Sequence, residues 1–421
     1  MYDYAQRQEI IYEVHSRPFQ NLPAPLVLEH ITVLFDGMDA LDVEHLVMSF
    51  IREMSFPVPE GHRGFLYCRQ GDKAVRYEPH NEFYTLTLYK FEDERTSLSL
   101  PEYRRQLPGA FLSGVEVLFR KSKSQLFMGK RNDSFTAWGE ECFNSSQFVA
   151  SEVMAGAARM ATNYKPQPES GFVLVLLEDI HLMPAQAGRM LQRICEIETY
   201  RHMALLGLPS ARSLMPELTL LDQEVASVSQ RSPDQDTSHT LAAMMQLSGQ
   251  VEALSANTAN RFFASEAYFA LVERRIKELR EVKIKGRQMA IEFMERHLDP
   301  ARRTCRSASR RIELLSKRIA RATELLQFQV NLTIENQNKE LLEAMNIRAK
   351  RRLNLQSKLE SLSVLVVVYY LYDLIGKALG NMLPAGETLD QSLKVLTLSL
   401  PFMTLIMFWI IRHLMKDFTE H

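Results

Sequence analysis

The sequence has only four cysteines in 421 residues, and none of them forms a CxxC pair or lies close to a histidine. A cysteine-based zinc site is therefore excluded. The wide spacing of Cys68, Cys142, Cys195 and Cys305 predicts reduced thiols in a cytosolic body. The first ten residues lack the basic start and apolar core of a signal peptide, so we expect that the bulk of the chain is not exported.

Several motifs that carry chemistry are also missing. The sequence contains no Walker A loop, no GxSxG elbow, no HExxH helix and no dinucleotide-binding GxGxxG. Neither an enzyme nor a cofactor is predicted. The 50 basic and 51 acidic residues nearly cancel, to a net charge of -1, so a nucleic-acid partner is not expected either.

The N-terminal half mixes two kinds of periodicity. Residues 83–89 and 171–177 are rich in β-branched, aromatic and other apolar residues, which is typical of strands. Residues 39–54 and 188–206 carry apolar residues near helical spacing. These patterns predict an α+β or α/β cytoplasmic domain over residues 1–226.

A polar stretch and then a helical composition follow. Residues 227–239 have no apolar period and are predicted to form a linker. Residues 240–360 are interrupted only by Gly249, Gly286 and Pro300, which predicts a bundle or stalk of long helices.

The stalk also contains a heptad seam, in which apolar residues step by four and three. Its members are Ala308, Ile312, Leu315, Ile319, Ala322 and Leu326. Such a seam needs a partner helix, and we expect a homo-oligomer joined through a coiled coil of the stalk helices. Residues 301–375 contain neither glycine nor proline, so they are predicted to form one continuous helix.

Two apolar runs near the C-terminus predict a transmembrane hairpin, since a spanning helix needs about 20 mostly apolar residues. We assign residues 361–379 and 393–412 to the two spans and residues 380–392 to a periplasmic loop. Residues 413–421 are then a cytoplasmic tail.

Two charge patterns accompany the hairpin. Asp373 and Lys377 stand four residues apart, so within the first span they are predicted to neutralise one another. A basic group precedes that span and is predicted to meet lipid headgroups: Arg348, Lys350, Arg351 and Arg352. Basic residues beside a span favour the cytoplasmic side of a membrane, so this group places both termini in the cytoplasm. The protein is then expected in the inner membrane, with the lipid bilayer as a partner.

One polar pattern lies in the N-terminal domain. Arg76, Glu78, His80 and Glu82 alternate, so on a strand they would share one face. With His80 and Glu82 as ligands, that face could hold a metal ion. The alternative is a solvated sheet face without a ligand.

Five segments resemble a bacterial family of uncharacterised membrane-anchored proteins, known as a domain of unknown function. They are residues 15–19 (His-Ser-Arg-Pro-Phe), 188–201, 204–209, 261–268 and 335–338. The resemblance extends over nearly the whole chain. It implies the same architecture, but no established activity and no catalytic residue.

The order of body, basic stalk, span, short loop and second span resembles that of CorA-type magnesium channels. Those channels carry Gly-Met-Asn after the first span, whereas Gly380, Asn381 and Met382 hold the same residue types in another order. The resemblance implies an oligomeric divalent-cation channel in which these residues, with Glu387 and Asp390, line the pore loop. The alternative is a non-conducting membrane-anchored scaffold or regulatory protein.

Overall fold

The computed structural model describes residues 7, 19–62, 64–91, 98–122, 131–230, 237–382 and 387–418. Within these ranges the strands are β1 (Leu26–Leu34), β2 (Leu66–Gln70), β3 (Lys73–Pro79), β4 (Phe83–Phe91), β5 (Ala110–Lys121), β6 (Val149–Val153), β7 (Ala158–Pro166), β8 (Val173–Asp179) and β9 (Val282–Lys283).

The helices in the same ranges differ greatly in length. They are α1 (Ala40–Glu53), α2 (Leu100–Tyr103), α3 (Arg131–Phe143), α4 (Pro184–Leu205), α5 (Gly207–Ser229), α6 (Thr237–Glu278), α7 (Ala290–Met382) and α8 (Glu387–Phe418). The helix predicted over residues 301–375 is confirmed, because it lies inside the 93 residues of α7. The predicted mixture of α and β structure with long helices is confirmed as well.

The strands named above form a sheet in the order β2-β3-β4-β1-β5-β8-β7-β6-β9. Each half follows one plan: a strand, a helix, and then a three-stranded meander whose last strand returns beside the first. The pairing differs between the halves, since β1 and β4 are antiparallel whereas β5 and β8 are parallel. The first and last strands of the two halves, β4 and β1 and then β5 and β8, therefore lie side by side in the middle of the sheet.

Alternation along the strands assigns side chains to the two faces of the sheet, because successive residues point in opposite directions. Ile31 and Val33 of β1 pack in one apolar cluster with Val47 of α1. Leu28 faces the other way and shares a cluster with Leu191 of α4. Helix α1 thus covers one face, and α4 covers the other.

The start of α4 lies very close to the segment that precedes β1. The amide of Leu22 donates a hydrogen bond to the carbonyl oxygen of Pro184, with a distance of 3.1 Å between nitrogen and oxygen. A Cβ atom at Gly188 would lie 1.8 Å from the carbonyl oxygen of Gln20. Glycine at position 188 therefore lets α4 pack this closely against the segment that precedes β1.

The predicted heptad seam finds partners within the chain. Ala308, Ile312, Leu315 and Ile319 are buried. Arg311 of the same helix donates to the Asp222 carboxylate of α5, at 3.0 Å. The first part of the seam is thus covered without a second copy, and the homo-oligomer stays a prediction.

The chain divides into two compact units. One comprises Met1–Gln235 with His239–Thr323, and the other comprises Asp236–Ser238 with Glu324–His421. The first unit contains the sheet and the helices packed on it. The predicted linker, residues 227–239, includes the end of α5 and the start of α6, while residues 231–236 lie outside the described ranges. The domain limits drawn from composition stay predictions.

The predicted transmembrane hairpin is wrong. Among the residues described, no helix has a stretch that is both long enough and apolar enough to span a bilayer. Residues 361–379 form part of α7. Three tyrosines, Asp373 and Lys377 interrupt the apolar residues in the second half of this segment. Residues 393–412 lie in α8. The assignments to an inner membrane and to a periplasmic loop rested on these spans and are withdrawn with them.

The close approach at Gly188 gives a stability prediction. We expect Gly188→Ala to lower the free energy of unfolding by about 2 kcal/mol or more, because the new methyl group collides with backbone that has to move. Gly249→Ala is the matched control, since a Cβ there meets nothing within 4 Å. It should raise the free energy by about 0.5–1 kcal/mol. Urea unfolding measures both, and equal stability of the two variants would contradict the packing described.

Candidate functional site

A polar cavity lies between the sheet and α4, with a volume of about 50 Å³. We call it the α4 cavity. Its polar lining from the strands and the turn after β3 is His30, Arg76, Glu78, His80, Thr85, Thr87 and Tyr89, and that from α4 is Gln192, Cys195, Glu196, Thr199 and Tyr200. Since a water molecule needs roughly 10–15 Å³ of such volume, the cavity has room for a small group.

The strand register brings the sheet residues together. Arg76 of β3 is opposite Thr87 of β4, which is in turn opposite His30 of β1. Glu78 lies two residues further along β3, on the same face. On α4, Gln192, Glu196 and Thr199 recur at helical spacing and therefore share the side that faces the sheet.

His30 is buried within a chain of hydrogen bonds. Its Nδ1 lies 2.8 Å from the Thr87 hydroxyl, and its Nε2 lies 3.0 Å from the Thr199 hydroxyl. Burial, helped by the nearby Arg76 charge and by His80, lowers the pKa of His30 to about 3. The ring is therefore neutral at physiological pH, so one of its nitrogens donates a hydrogen bond and the other accepts one.

Arg76 supplies the positive charge of the lining, and its side chain is 4% exposed. Its Nη2 donates to the Glu78 carboxylate at 2.5 Å, and its Nη1 donates to the Gln192 amide oxygen at 3.3 Å. Burial alone would lower the pKa of Arg76, but the Glu78 carboxylate and the Tyr89 hydroxyl together outweigh it and the pKa is raised. Within the described part of the chain, the buried Nε has no hydrogen-bond partner.

Glu196 brings a second carboxylate to the lining, from α4. It accepts a hydrogen bond from the Gln192 amide at 2.8 Å and forms an ion pair with Arg275 of α6. Burial raises the pKa of Glu196 in spite of the Arg275 charge, and the Glu78 carboxylate adds to the increase. Two carboxylates thus face the lone guanidinium of the lining.

Aromatic rings connect one end of the cavity with α6. The His80 ring stacks on Phe83, with 4.3 Å between the ring centroids. Phe83 meets the edge of Tyr268 at 6.3 Å, and Tyr268 stacks on Tyr200 at 5.9 Å. Helix α6 therefore contacts side chains that belong to the cavity wall or lie directly behind it.

The predicted face of alternating polar residues splits in the structure. Arg76 and Glu78 line the α4 cavity, and the buried Arg76 does not lie on a solvated sheet face. His80 also lines the cavity, whereas Glu82 forms an ion pair with Arg261 of α6. Across the described ranges, no group of three histidine, cysteine, aspartate or glutamate side chains could hold a metal ion.

The residues predicted near the hairpin do not join this site. Gly380, Asn381 and Met382 end α7, Glu387 begins α8, and residues 383–386 lie outside the described ranges. Asp390 pairs with Lys394 at 2.6 Å. Asp373 and Lys377 form an ion pair at 2.7 Å, but the membrane span in which this pair was predicted is not supported. The basic group Arg348, Lys350, Arg351 and Arg352 is exposed on α7, and residues 15–18 of the His-Ser-Arg-Pro-Phe segment are not described.

The α4 half of the cavity was not predicted from the sequence. The available signal was the placement of Gln192, Glu196 and Thr199 on one side of a helix whose neighbours Ile194 and Cys195 are apolar and buried. Polar residues on the buried side of a helix need partners, and the sheet partners of Gln192 and Thr199, which are Arg76 and His30, lie more than a hundred residues away in the sequence.

Comparisons with known proteins bear on family and fold. The family described as "Protein of unknown function (DUF3422)" matches residues 2–418. A search of curated proteins found no match. A solved structure, that of the CorA magnesium transporter from Methanocaldococcus jannaschii, is 10% identical and aligns with 82% of this chain and 98% of that chain, with a TM-score of 0.15. A similarity this low carries no argument about fold or transport.

The burial of neutral His30 gives a pH prediction. In the unfolded chain this histidine binds a proton at its ordinary pKa of 6.5, whereas in the folded chain it resists protonation down to about 3. The stability that depends on neutral His30 is therefore present above pH 6.5 and is lost as the pH falls. We expect the free energy of unfolding to decrease by up to about 1.4 kcal/mol per pH unit in this range.

The measurement is urea unfolding at several pH values between 7 and 5. His30→Gln keeps a donor and an acceptor but cannot be protonated, so its stability should depend less on pH than that of the wild type. His45→Gln, which changes an exposed histidine on α1, should retain the wild-type dependence. Identical pH dependence of all three proteins would show that His30 is not the group responsible.

Proposed function

The chain belongs to this family of proteins of unknown function, and we propose that it is a regulatory protein that binds a small polar molecule in the α4 cavity. The observation that carries the proposal is the guanidinium of Arg76: Arg76 lines the cavity, and its buried Nε has no hydrogen-bond partner among the described residues. A buried donor without a partner costs roughly 1–3 kcal/mol. An acceptor in the cavity would recover this free energy, which supports the presence of a ligand.

The lining supports binding rather than catalysis. Burial raises the pKa of the Cys195 thiol far above its usual range, so the nucleophilic thiolate is not populated at neutral pH. Both ring nitrogens of His30 are already hydrogen-bonded to threonines, and its lowered pKa makes it a poor proton acceptor. Cys195 and His30 are thus poorly suited to act as nucleophile and general base, and we propose that the protein is not an enzyme.

The regulatory part of the proposal rests on α6. Glu196 of the cavity wall pairs with Arg275, and Tyr200 stacks on Tyr268. A cationic group that binds Glu196 shares the negative charge that holds Arg275 and so weakens this ion pair without replacing it, and a ligand that displaces Tyr200 moves the ring against which Tyr268 packs. Occupancy of the cavity therefore favours one arrangement of α6 over another, as a ligand-driven shift of a conformational equilibrium requires.

The two functions considered from the sequence, ion conduction and regulation, differ in whether they need the membrane hairpin. Conduction required the two transmembrane spans, so the channel hypothesis lost its basis with them. Regulation by a bound small molecule does not depend on a membrane anchor. It is the alternative that the cavity supports.

A thermal-unfolding screen of the full-length protein tests the proposal. The panel consists of small polar solutes with up to about six non-hydrogen atoms, namely carboxylates, amines, amino acids, urea and polyols. We expect at least one solute to raise the melting temperature, since a ligand at a hundred times its Kd adds about 2.7 kcal/mol to the stability. Arg76→Lys should abolish this increase, because lysine keeps the charge beside Glu78 but lacks Nε.

Arg120→Lys is the matched control. Arg120 also pairs with a sheet glutamate, Glu178, and lies over an aromatic ring, that of Trp138. It is not part of the cavity lining, so its variant should respond to the solute as the wild type does. The proposal fails when no solute in the panel stabilises the wild type, or when Arg76→Lys and Arg120→Lys respond alike.

A further inference from the structure

The charges of the α4 cavity narrow the chemistry of its ligand. The lining holds one guanidinium, that of Arg76, and two carboxylates, those of Glu78 and Glu196. A simple anion would satisfy Arg76 but would be repelled by both carboxylates. A simple cation would be attracted by the carboxylates but would leave the buried Nε of Arg76 unsatisfied. A molecule that carries both charges meets both requirements.

The two signs of charge are also close enough for one small molecule. The Gln192 amide accepts from Arg76 at 3.3 Å and donates to Glu196 at 2.8 Å. A single amide group therefore spans the gap between the guanidinium and the carboxylate. In an α-amino acid one carbon atom joins the carboxylate to the ammonium group, so these two groups lie a similar distance apart. The carboxylate can then face Arg76 while the ammonium faces Glu196.

Both carboxylates can accept a further donor. Glu78 already accepts from Arg76, and Glu196 accepts from Gln192 while paired with Arg275. A carboxylate has about four lone-pair positions, so an ammonium group can be added without breaking these bonds. Burial is the largest cause of the raised pKa of Glu196, and the Glu78 carboxylate adds to it, so an ammonium group placed between the two carboxylates would reduce their repulsion.

The volume limits the size of the ligand. A cavity of about 50 Å³ corresponds to roughly four water molecules. Glycine has five non-hydrogen atoms and alanine has six, so they fit with small adjustments of the wall. A side chain the size of that of phenylalanine does not.

We propose that the α4 cavity binds a small zwitterionic amino acid of glycine or alanine size, with its carboxylate on Arg76 Nε and its ammonium between Glu78 and Glu196. This inference rests on the proposed function, because it specifies the ligand of the same cavity.

Isothermal titration of the full-length protein tests the inference with glycine and alanine. Acetate and methylammonium are the comparison probes, since each carries one half of the zwitterion, and phenylalanine tests the size limit. We expect glycine or alanine to bind at least tenfold more tightly than either half and more tightly than phenylalanine. Glu196→Gln should weaken this binding at least tenfold. Glu152→Gln, a change in a sheet glutamate outside the cavity, should leave it unchanged.

The outcomes separate the two proposals. Binding of urea, a polyol or acetate as tight as that of the amino acids would overturn the zwitterion assignment and leave a small-molecule site in place. The absence of binding by every solute of the panel would overturn both proposals. The comparison of whole and half ligands uses the wild-type protein alone, so the test does not depend on whether Glu196→Gln folds.

Discussion

The burial of the Arg76 guanidinium under α4 is the constraint on which the rest of this unit depends. Removing a charge from water costs several kcal/mol unless partners surround it. Glu78 supplies the opposite charge, and Gln192 supplies an acceptor from the helix above. Phe65 lies under the guanidinium at 5.2 Å. The sheet and α4 therefore have to meet in one register. The same register places His30 between the hydroxyls of Thr87 and Thr199.

The same constraint reaches α6 through the second carboxylate. Glu196 stands one helical turn after Gln192 on α4, and it holds Arg275 of α6. Arg275 in turn pairs with Glu278 on its own helix, at 2.9 Å. A charge buried in the sheet is thus linked through side chains of α4 to α6. The proposed regulation uses this link.

Part of this arrangement could be predicted from the sequence. The apolar run at residues 83–89 lies within β4, and the helical spacing at residues 188–206 matches α4 as far as Leu205. These elements follow from local periodicity, which is present in the sequence itself. The position of Arg76 does not, because its alternation with Glu78 fits a solvated strand equally well. Only the packing of α4, more than a hundred residues later, decides that this face is buried.

The membrane hairpin failed for a related reason. Its prediction rested on the apolar content of two runs and treated the Asp373 and Lys377 pair as neutral. The pair does form, at 2.7 Å, but within α7, and no described helix has a sufficient apolar stretch. An ion pair between residues four apart shows that the two charges neutralise one another on one helix face. It does not show what surrounds the helix.

A crystal structure of the full-length protein grown with glycine tests the central claim most directly. We predict one glycine molecule in the α4 cavity, with its carboxylate within hydrogen-bond distance of Arg76 Nε and its ammonium beside Glu196. A cavity that holds only water under saturating glycine, with Arg76 Nε bonded to that water, would contradict the claim.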